Sequence, residues 1–414
     1  MLDKTVLLMA NLDTRGAAFA QYADIVRAQG LGALVLDFSM EQEPPFRADI
    51  PCDEVAAAGG LSIDEVRRAY RTERKEATDC MMRGALTIVR RLCAEGRIHG
   101  VLGAGGATAT LVVTSVMKQL PFGFPKVMAS SVGSLGVYLE RWIGTADITV
   151  LNTVVDVMGE NPLLHRQLAN AVGAVCGMVR VASEPLDHRH GVSGLVGITS
   201  FGLAERCVER CLELLPGAGF QPVPFHAQGR GDRAMDEMIR AGMLVGVMDL
   251  VPRGLAEQML GGDCAAGHDR LLAAAETGLP MVVAPGGFDQ ISVGGMRDWR
   301  ERFAGRRFSV IDEVRVEVRT SAEECARIGE ETARRLNVAR APFLFLIPLR
   351  GFSSLDVEGR PLHDRGADAV FIDSLRSGLS EPCRLREVDA NLYSPEFGSA
   401  CAEAFLEVWR EHQA

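Results

Sequence analysis

The sequence predicts an α/β protein built from two Rossmann-like domains, each an open and mostly parallel sheet flanked by helices. Short apolar runs alternate along the chain with amphipathic stretches, which is the pattern of parallel strands joined by crossover helices. The 414 residues amount to about two to three typical domain lengths. The alternation also stops and restarts near the middle of the chain. Together these observations favour two domains of one architecture.

The first half of the chain predicts a series of strands with helices between them. The apolar runs that we assign as strands are residues 5–11, 33–38, 99–102, 126–129 and 147–155. The amphipathic stretches that we assign as helices are residues 17–29, 62–95, 108–119 and 162–179. Oppositely charged residues four positions apart support the long helix at 62–95. Gly84 lies inside that helix and is a candidate break.

The stretch ASEPLDHRHGVSG at 182–194 is the predicted domain boundary, because proline, glycine and charged residues interrupt the apolar pattern there. We therefore expect an N-terminal domain over residues 1–185 and a C-terminal domain over residues 192–414. The strands predicted after the boundary are 195–199, 222–226, 244–250, 280–284 and 343–347. The helices predicted there are 204–215, 231–242, 253–260, 268–277, 321–338 and 395–412.

Composition argues against several classes of partner. The formal net charge of −10 and the pI of about 5.4 oppose binding to a polyphosphate strand, so no nucleic-acid partner is expected. The ten cysteines form no CxxC pair, and no metal site is expected. The apolar run near the start is too short for a signal peptide or a membrane span. We expect a cytoplasmic protein with no membrane partner.

Glycine and hydroxyl residues follow three predicted strands of the first half. Such loops offer backbone N–H groups and the positive end of a helix to a phosphate group. The alternative is a set of tight turns with close strand–helix packing, because the loops match neither the P-loop nor the GxGxxG fingerprint. The candidate nucleotide-binding residues are Asp13, Thr14, Arg15, Gly16, Gly103, Gly105, Gly106, Thr108, Thr110, Ser130 and Ser131.

Acidic residues near these loops have two interpretations. Asp37 ends the second predicted strand, where it is either an acceptor for a ribose hydroxyl or a cap for a helix or turn. Asp147 and Asp156 flank an apolar run, where they either hold a metal ion or a water near the phosphates or are solvated residues at strand ends.

The second half supplies candidate catalytic residues at strand ends. His226 is a candidate general base, Asp289 follows the glycine pair Gly286 and Gly287, and Arg270 is a candidate for binding an anionic substrate. The alternative is that these residues are structural, as a single histidine at a strand end often is. The sequence therefore leaves the catalytic residues unknown.

The chain also resembles a known family through a series of motifs. LDTRG, GAGGATAT and IGTADITVLNTVVDVMGENP in the first half, and APGGFDQISVG and PLRGFSSLDVEG in the second, are similar to the ATP-binding domain family typified by the tomato mosaic virus resistance protein. The resemblance spans essentially the whole chain. It implies two Rossmann-like domains, an ATP site on the N-terminal domain at the loops named above, and a homodimer.

Some residues depart from the family pattern. Asn11 and Arg15 replace threonine and lysine in the first loop, and Ala107 and Ala109 replace serine and glycine in the second. The expected function is nucleotide binding, with ATP, with or without magnesium, held by the N-terminal domain. The alternative is an enzyme that acts on a small anionic metabolite between the domains, with or without ATP. The altered loops also allow weaker phosphate binding or a different ligand.

Overall fold

The structure is a computed structural model that describes residues 4–159, 161–182, 194–381 and 384–414. The chain divides into two compact units, Met1–His188, here called unit 1, and Arg189–Ala414, here called unit 2. Residues 183–193 of the predicted boundary lie outside the described residues. Each unit is an α/β domain with a parallel sheet flanked by helices, which confirms the predicted fold class.

Unit 1 contains a five-stranded sheet in the order β2-β1-β3-β4-β5. Every neighbouring pair in it is parallel. Parallel neighbours need crossover connections, and the helices supply them on both faces. The strands are β1 (Thr5–Ala10), β2 (Gly32–Asp37), β3 (Gly100–Gly105), β4 (Lys126–Ser130) and β5 (Thr149–Asn152).

Helices cover both faces of this sheet and bury one apolar cluster on each. The helices are α1 (Leu12–Ala28), α2 (Cys52–Ala58), α3 (Ile63–Thr72), α4 (Arg74–Ala94), α5 (Ala107–Met117), α6 (Gly136–Tyr138) and α7 (Pro162–Val181). A π-helical turn, Leu139–Ile143, continues α6. Helix α7 begins where the Asn161 side chain accepts a hydrogen bond from Leu164 N, with Pro162 in the first turn.

The long helix predicted at 62–95 is two helices, and Gly84 is not the break. The chain turns at Glu73, between α3 and α4. Ser62 begins α3 with a capping box to Glu65. Gly84 continues α4, because a Cβ at this position would overlap the carbonyl oxygen of Val55 on α2. The glycine lets two helices pack closely and does not end one.

Unit 2 contains a six-stranded parallel sheet in the order β14-β13-β9-β8-β6-β7. A separate three-stranded antiparallel sheet has the order β10-β12-β11. The sequence analysis did not predict this sheet, because its strands are short and follow a glycine-rich segment. The strands are β6 (Gly194–Ser200), β7 (Phe220–His226), β8 (Gly246–Asp249), β9 (Met281–Val283), β10 (Gln290–Ser292), β11 (Phe308–Val310), β12 (Val316–Arg319), β13 (Phe343–Pro348) and β14 (Leu385–Val388).

Helices again cover both faces of the six-stranded sheet, over two apolar clusters. The helices are α8 (Glu205–Leu214), α9 (Arg230–Arg240), α10 (Gly254–Leu260), α11 (Leu272–Thr277), α12 (Trp299–Arg302), α13 (Ala322–Leu336), α14 (Arg365–Gly378) and α15 (Pro395–Gln413). The turns Gly202–Ala204 and Leu215–Ala218 are 3-10 helices. Helix α14 and strand β14 were also missed. Within the described ranges, no helix is long and apolar enough to cross a bilayer.

We expect Gly84→Ala to destabilise the protein by about 1–3 kcal/mol, because the added methyl group forces α2 and α4 apart. Gly173→Ala is the matched control, since Gly173 lies on the exposed side of α7 with nothing within 4 Å of an added Cβ. It should stabilise the protein by about 0.5–1 kcal/mol through helix propensity. Urea unfolding followed by circular dichroism measures both. Equal effects of the two substitutions would contradict the packing role of Gly84.

Candidate functional site

The strand order of unit 1 creates a crevice at one place on the sheet. From β1 the chain crosses to β2 on one side, and β3 lies on the other side. The loops after β1 and β3 therefore diverge, and in open α/β sheets ligands bind in the crevice left at such a point. A pocket of about 230 Å³ lies there. Its lining is Asn11, Asp13, Thr14, Met40, Glu41, Tyr70, Gly106, Ala107, Thr108, Ala109, Val157 and Met158.

The start of α5 presents hydrogen-bond donors at this pocket. Gly106 precedes the helix and has no side chain that caps it. The first backbone N–H that bonds back into the helix is that of Thr110, which donates to Gly106 O over 2.9 Å. Within the described part of the chain, the N–H groups of Ala107, Thr108 and Ala109 have no hydrogen-bond acceptor. Together with the helix dipole, they make this helix start suitable for an anion.

The start of α1, across the pocket, is different because its first donors are already satisfied. Leu12 N donates to Asp37 Oδ1 over 3.0 Å, and Asp13 N donates to Ser39 Oγ over 2.9 Å. The Asn11 amide donates to Thr14 Oγ1 over 2.6 Å. Of the two helix starts, α5 is therefore the one that offers donors to a ligand.

Asp37 has the contacts of the capping alternative and not those of a ribose acceptor. Its carboxyl is fully buried, and Oδ1 accepts hydrogen bonds from Leu12 N and from both the N–H and the hydroxyl of Ser39. Burial raises the pKa of Asp37, and the hydrogen bonds from Ser39 and Leu12 oppose that rise. The group holds the end of β2 to the start of α1 and does not line the pocket.

Asp13 both lines the pocket and fixes a neighbouring loop. Its Oδ2 accepts from the backbone N–H groups of Glu41, over 3.1 Å, and Gln42, over 3.3 Å. Gly16 is buried within α1, where a Cβ would overlap the ring of Pro45. Arg15 also lies in α1, but its side chain is outside the described part of the structure.

Several of the predicted loop residues support the pocket from behind. Gly103 and Gly105 belong to β3, and a Cβ on Gly103 would overlap Val113 of α5. The hydroxyls of Thr110 and Ser130 are buried and lie 2.8 Å apart, which joins α5 to the end of β4. Ser131 N donates to Gly105 O over 3.2 Å. These contacts agree with the alternative interpretation of the glycine and hydroxyl loops, in which they are tight turns with close strand–helix packing.

The structure brings four of the predicted residues to the pocket: Asp13, Thr14, Gly106 and Thr108. The sequence analysis did not assign Glu41, Tyr70, Ala107 and Ala109 to it. The two alanines were treated as departures from the family pattern that allow weaker phosphate binding or a different ligand, although a helix start binds anions through backbone N–H groups that any residue supplies. Tyr70 lies in a charged helix, and no local signal in the sequence marks it.

A second depression of about 340 Å³ adjoins the pocket. Glu41 and Tyr70 line both cavities, and Arg71, Thr72 and Arg74 complete the second. In the ranges that the structure describes, no group of three or more His, Cys, Asp or Glu side chains is arranged to hold a metal ion.

The candidate catalytic residues of unit 2 do not share one surface. His226 is exposed at the end of β7, where its ring meets Phe201 edge to face with centroids 5.5 Å apart. Asp289 is fully buried, and its Oδ2 accepts a hydrogen bond from Ser353 Oγ over 2.6 Å. Strands β6 and β8 lie between β7 and β9, so the carboxyl ends of β7 and β9 are roughly 14 Å apart. His226 ends β7, whereas Asp289 lies past the end of β9, directly before β10.

Arg270 is buried, and its described contacts are ion pairs with neighbouring aspartates. Its guanidinium lies 2.6 Å from Asp249, 3.4 Å from Asp236 and 3.7 Å from Asp232. Asp249 also accepts from Thr199 Oγ1 over 2.8 Å. Three carboxyl groups surround one buried guanidinium and carry excess negative charge, while its Nε has no hydrogen-bond acceptor among the described residues. Accordingly, burial raises the pKa of Asp236 to about 7, although Arg270 opposes the rise.

The fold and the pocket define a two-unit α/β protein with a crevice at the switch point of its first sheet. The sequence matches the N-terminal domain of the uncharacterised protein family UPF0261 over residues 4–184 and its C-terminal domain over residues 193–409. The chain belongs to this family.

Two relatives show how far the similarity extends. A UPF0261 protein of Clostridium tetani is 33% identical over 98% of this chain and 99% of its own length. The ToMV resistance protein Tm-1(GCR237) of Solanum lycopersicum is 30% identical over 91% of this chain but only 51% of its own length. The similarity to the tomato protein therefore leaves about half of that protein without a counterpart here.

We expect the stability of unit 2 to fall as pH rises from about 5 to about 7. The pKa of Asp236 is about 7 in the folded protein and ordinarily 3.8, so the folded state keeps a proton that the unfolded state has released. Asp236→Asn should reduce this dependence by roughly 1.4 kcal/mol per pH unit. Urea unfolding at a series of pH values measures it.

Asp373→Asn is the control, because the side chain of Asp373 is largely exposed on α14. It should leave the pH dependence of the wild type unchanged. If Asp236→Asn also keeps the wild-type slope, the Arg270 cluster holds no extra proton at neutral pH.

Proposed function

We propose that this protein binds ATP at the pocket of unit 1, with the phosphates against the start of α5. The observation that carries the proposal is that the backbone N–H groups of Ala107, Thr108 and Ala109 have no acceptor among the described residues, and that these three residues line a pocket at the switch point of the sheet. Backbone donors and a helix dipole recognise phosphate without a particular side chain. The family resemblance to ATP-binding proteins supports the choice of ligand.

The charges around the pocket favour a magnesium complex of the nucleotide. The described lining of the pocket includes the carboxyl side chains of Asp13 and Glu41 and no lysine or arginine. A bare triphosphate, with about four negative charges, would be repelled by them. Magnesium bound to the phosphates removes two of these charges. ATP therefore enters this site as its magnesium complex.

The enzyme alternative gains no support from the candidate residues. Arg270 and Asp289 are buried and engaged in hydrogen bonds or ion pairs, and only His226 of the three is exposed. Action on a small anionic metabolite stays a prediction, as do the homodimer and the cytoplasmic location.

The proposal is tested by placing a carboxylate on the exposed second residue of α5. Thr108→Glu should lower the affinity for MgATP at least about tenfold, because the new charge occupies the anion site and repels the phosphates. The substitution should not harm folding, since a carboxylate in the first helical turn is favourable. Isothermal titration calorimetry with MgATP measures the affinity.

Thr108→Gln is the matched control, because it has the same shape without the charge, and its affinity should stay within about threefold of the wild type. Titration with ATP in the presence of EDTA should give weaker binding than MgATP. The proposal would be refuted by a wild-type protein that binds neither form, or by a Thr108→Glu variant that binds MgATP as tightly as Thr108→Gln.

A further inference from the structure

We propose that the depression beside the pocket is the nucleoside subsite, in which Glu41 accepts a hydrogen bond from the ribose and the Tyr70–Arg74 pair stacks on the base. The inference rests on the proposed function, since it takes the phosphates to lie at the start of α5. It assigns two contacts to the nucleoside that the loop motifs do not contain.

The first argument is the continuity of the two cavities. The pocket of about 230 Å³ is smaller than the roughly 300–1,000 Å³ of typical ligand sites, so it is large enough for only part of a nucleotide. Glu41 and Tyr70 line both the pocket and the depression of about 340 Å³. A ligand whose phosphates fill the pocket can therefore extend past these two side chains into the depression.

The second argument is the pair of flat groups inside the depression. The guanidinium carbon of Arg74 lies 4.5 Å from the centroid of the Tyr70 ring. The turn at Glu73 separates the helices that carry these residues and brings Tyr70, near the end of α3, against Arg74 at the start of α4. Nucleobases stack on tyrosine rings and on guanidinium planes, and such contacts tolerate any base. The pair is therefore a suitable surface for a base.

The third argument is the position of Glu41. Doubly wound nucleotide-binding sheets place an acidic acceptor for the ribose hydroxyls near the end of the second strand. Asp37 ends β2 but is buried and engaged, whereas Glu41 follows it by four residues and is exposed. Glu41 therefore occupies the place at which this acceptor is needed.

The loop that carries Glu41 is anchored at two points. Asp13 Oδ2 accepts hydrogen bonds from the backbone of Glu41 and Gln42. Glu43 forms an ion pair of 2.5 Å with Arg67 on α3, the helix that carries Tyr70. The loop that carries Glu41 is thus joined by an ion pair to the helix that carries Tyr70. Burial raises the pKa of the Tyr70 phenol; the Arg74 guanidinium opposes this rise and the Glu41 carboxylate adds to it.

Arg71 and Arg74 also fit an alternative occupant, a further phosphate group. The two occupants predict different behaviour of inorganic tripolyphosphate, which has the charges of ATP without its nucleoside. If the depression binds the nucleoside, ATP should bind more tightly than tripolyphosphate. If it binds a phosphate group, tripolyphosphate should bind as tightly as ATP, and its affinity should fall when Arg74 is replaced.

The experiment compares MgATP, its 2′-deoxy analogue and magnesium tripolyphosphate by calorimetry on the full chain. The wild type should prefer MgATP to the deoxy analogue by about tenfold, as expected for one hydrogen bond to a carboxylate. Glu41→Gln should reduce that preference at least about threefold while leaving tripolyphosphate affinity unchanged or higher. Glu41→Gln retains a side chain of the same shape, so a loss of folding is not expected.

Tyr70→Leu should lower MgATP affinity roughly tenfold or more through loss of the stacking ring, with no change for tripolyphosphate. Tyr70→Phe is the matched control, because it keeps the ring, and it should bind MgATP within about threefold of the wild type. The unfolding midpoint without ligand verifies that each variant is folded.

The outcomes separate the two proposals. If the wild type binds neither MgATP nor tripolyphosphate, the proposed function fails. If both bind with the same affinity, or if Tyr70→Leu and Glu41→Gln behave as the wild type, the phosphate site stands and the nucleoside subsite is overturned. An Arg74→Gln variant that loses tripolyphosphate binding also overturns it, in favour of the phosphate alternative.

Discussion

The candidate site depends on the buried carboxyl of Asp37 more than on any residue that lines the pocket. This one group takes hydrogen bonds from the first N–H of α1 and from Ser39, so it fixes the end of β2 against the start of α1. Ser39 in turn accepts from Asp13 N, and Asp13 holds the backbone of Glu41 and Gln42. A buried carboxyl is stable only when hydrogen bonds replace its lost hydration. The three hydrogen bonds to Asp37 Oδ1 therefore order the side of the pocket opposite α5, although Oδ2 has no partner among the described residues.

The carboxyl edges of the two parallel sheets use polar groups in different ways. In unit 1 the donors at the start of α5 line a pocket and have no acceptor in the part of the chain that the structure describes. The hydroxyls of Thr110 and Ser130 behind them pair with each other. In unit 2 three buried arginines are paired with carboxylates, two in the segments that precede α10 and α11 and one at the end of β12 in the antiparallel sheet: Arg253 contacts Glu257 and Glu317, Arg270 contacts three aspartates, and Arg319 contacts Asp368. Removing one partner from such a cluster leaves a buried charge uncompensated, so these clusters constrain the fold of unit 2. They are poor candidates for groups that exchange a ligand.

Most strands and helices could be predicted from the sequence, and the errors have identifiable causes. Apolar periodicity located the strands of both parallel sheets except β14, whose residues are only partly buried at the sheet edge. The antiparallel strands were missed because runs of three or four residues give too little periodicity. The assignment of Gly84 as a break failed because a glycine in a helix can serve the packing of another helix, and the sequence around it does not reveal that neighbour.

The sequence by itself determined the fold class, the family and the loop at which α5 begins, because these follow from local pattern and from motifs read in order. Only the tertiary structure decided which residues of the loops reach the pocket. Strand order is set by contacts between residues far apart in the chain, and it brought Tyr70 and Glu41 to Gly106 while it buried Asp37, Thr110 and Ser130. The residue type of a polar side chain at a strand end does not reveal whether that side chain is exposed to a ligand or buried and hydrogen-bonded within the protein. Burial and hydrogen bonding distinguish the two cases, and both arise only when the sheets and helices have packed.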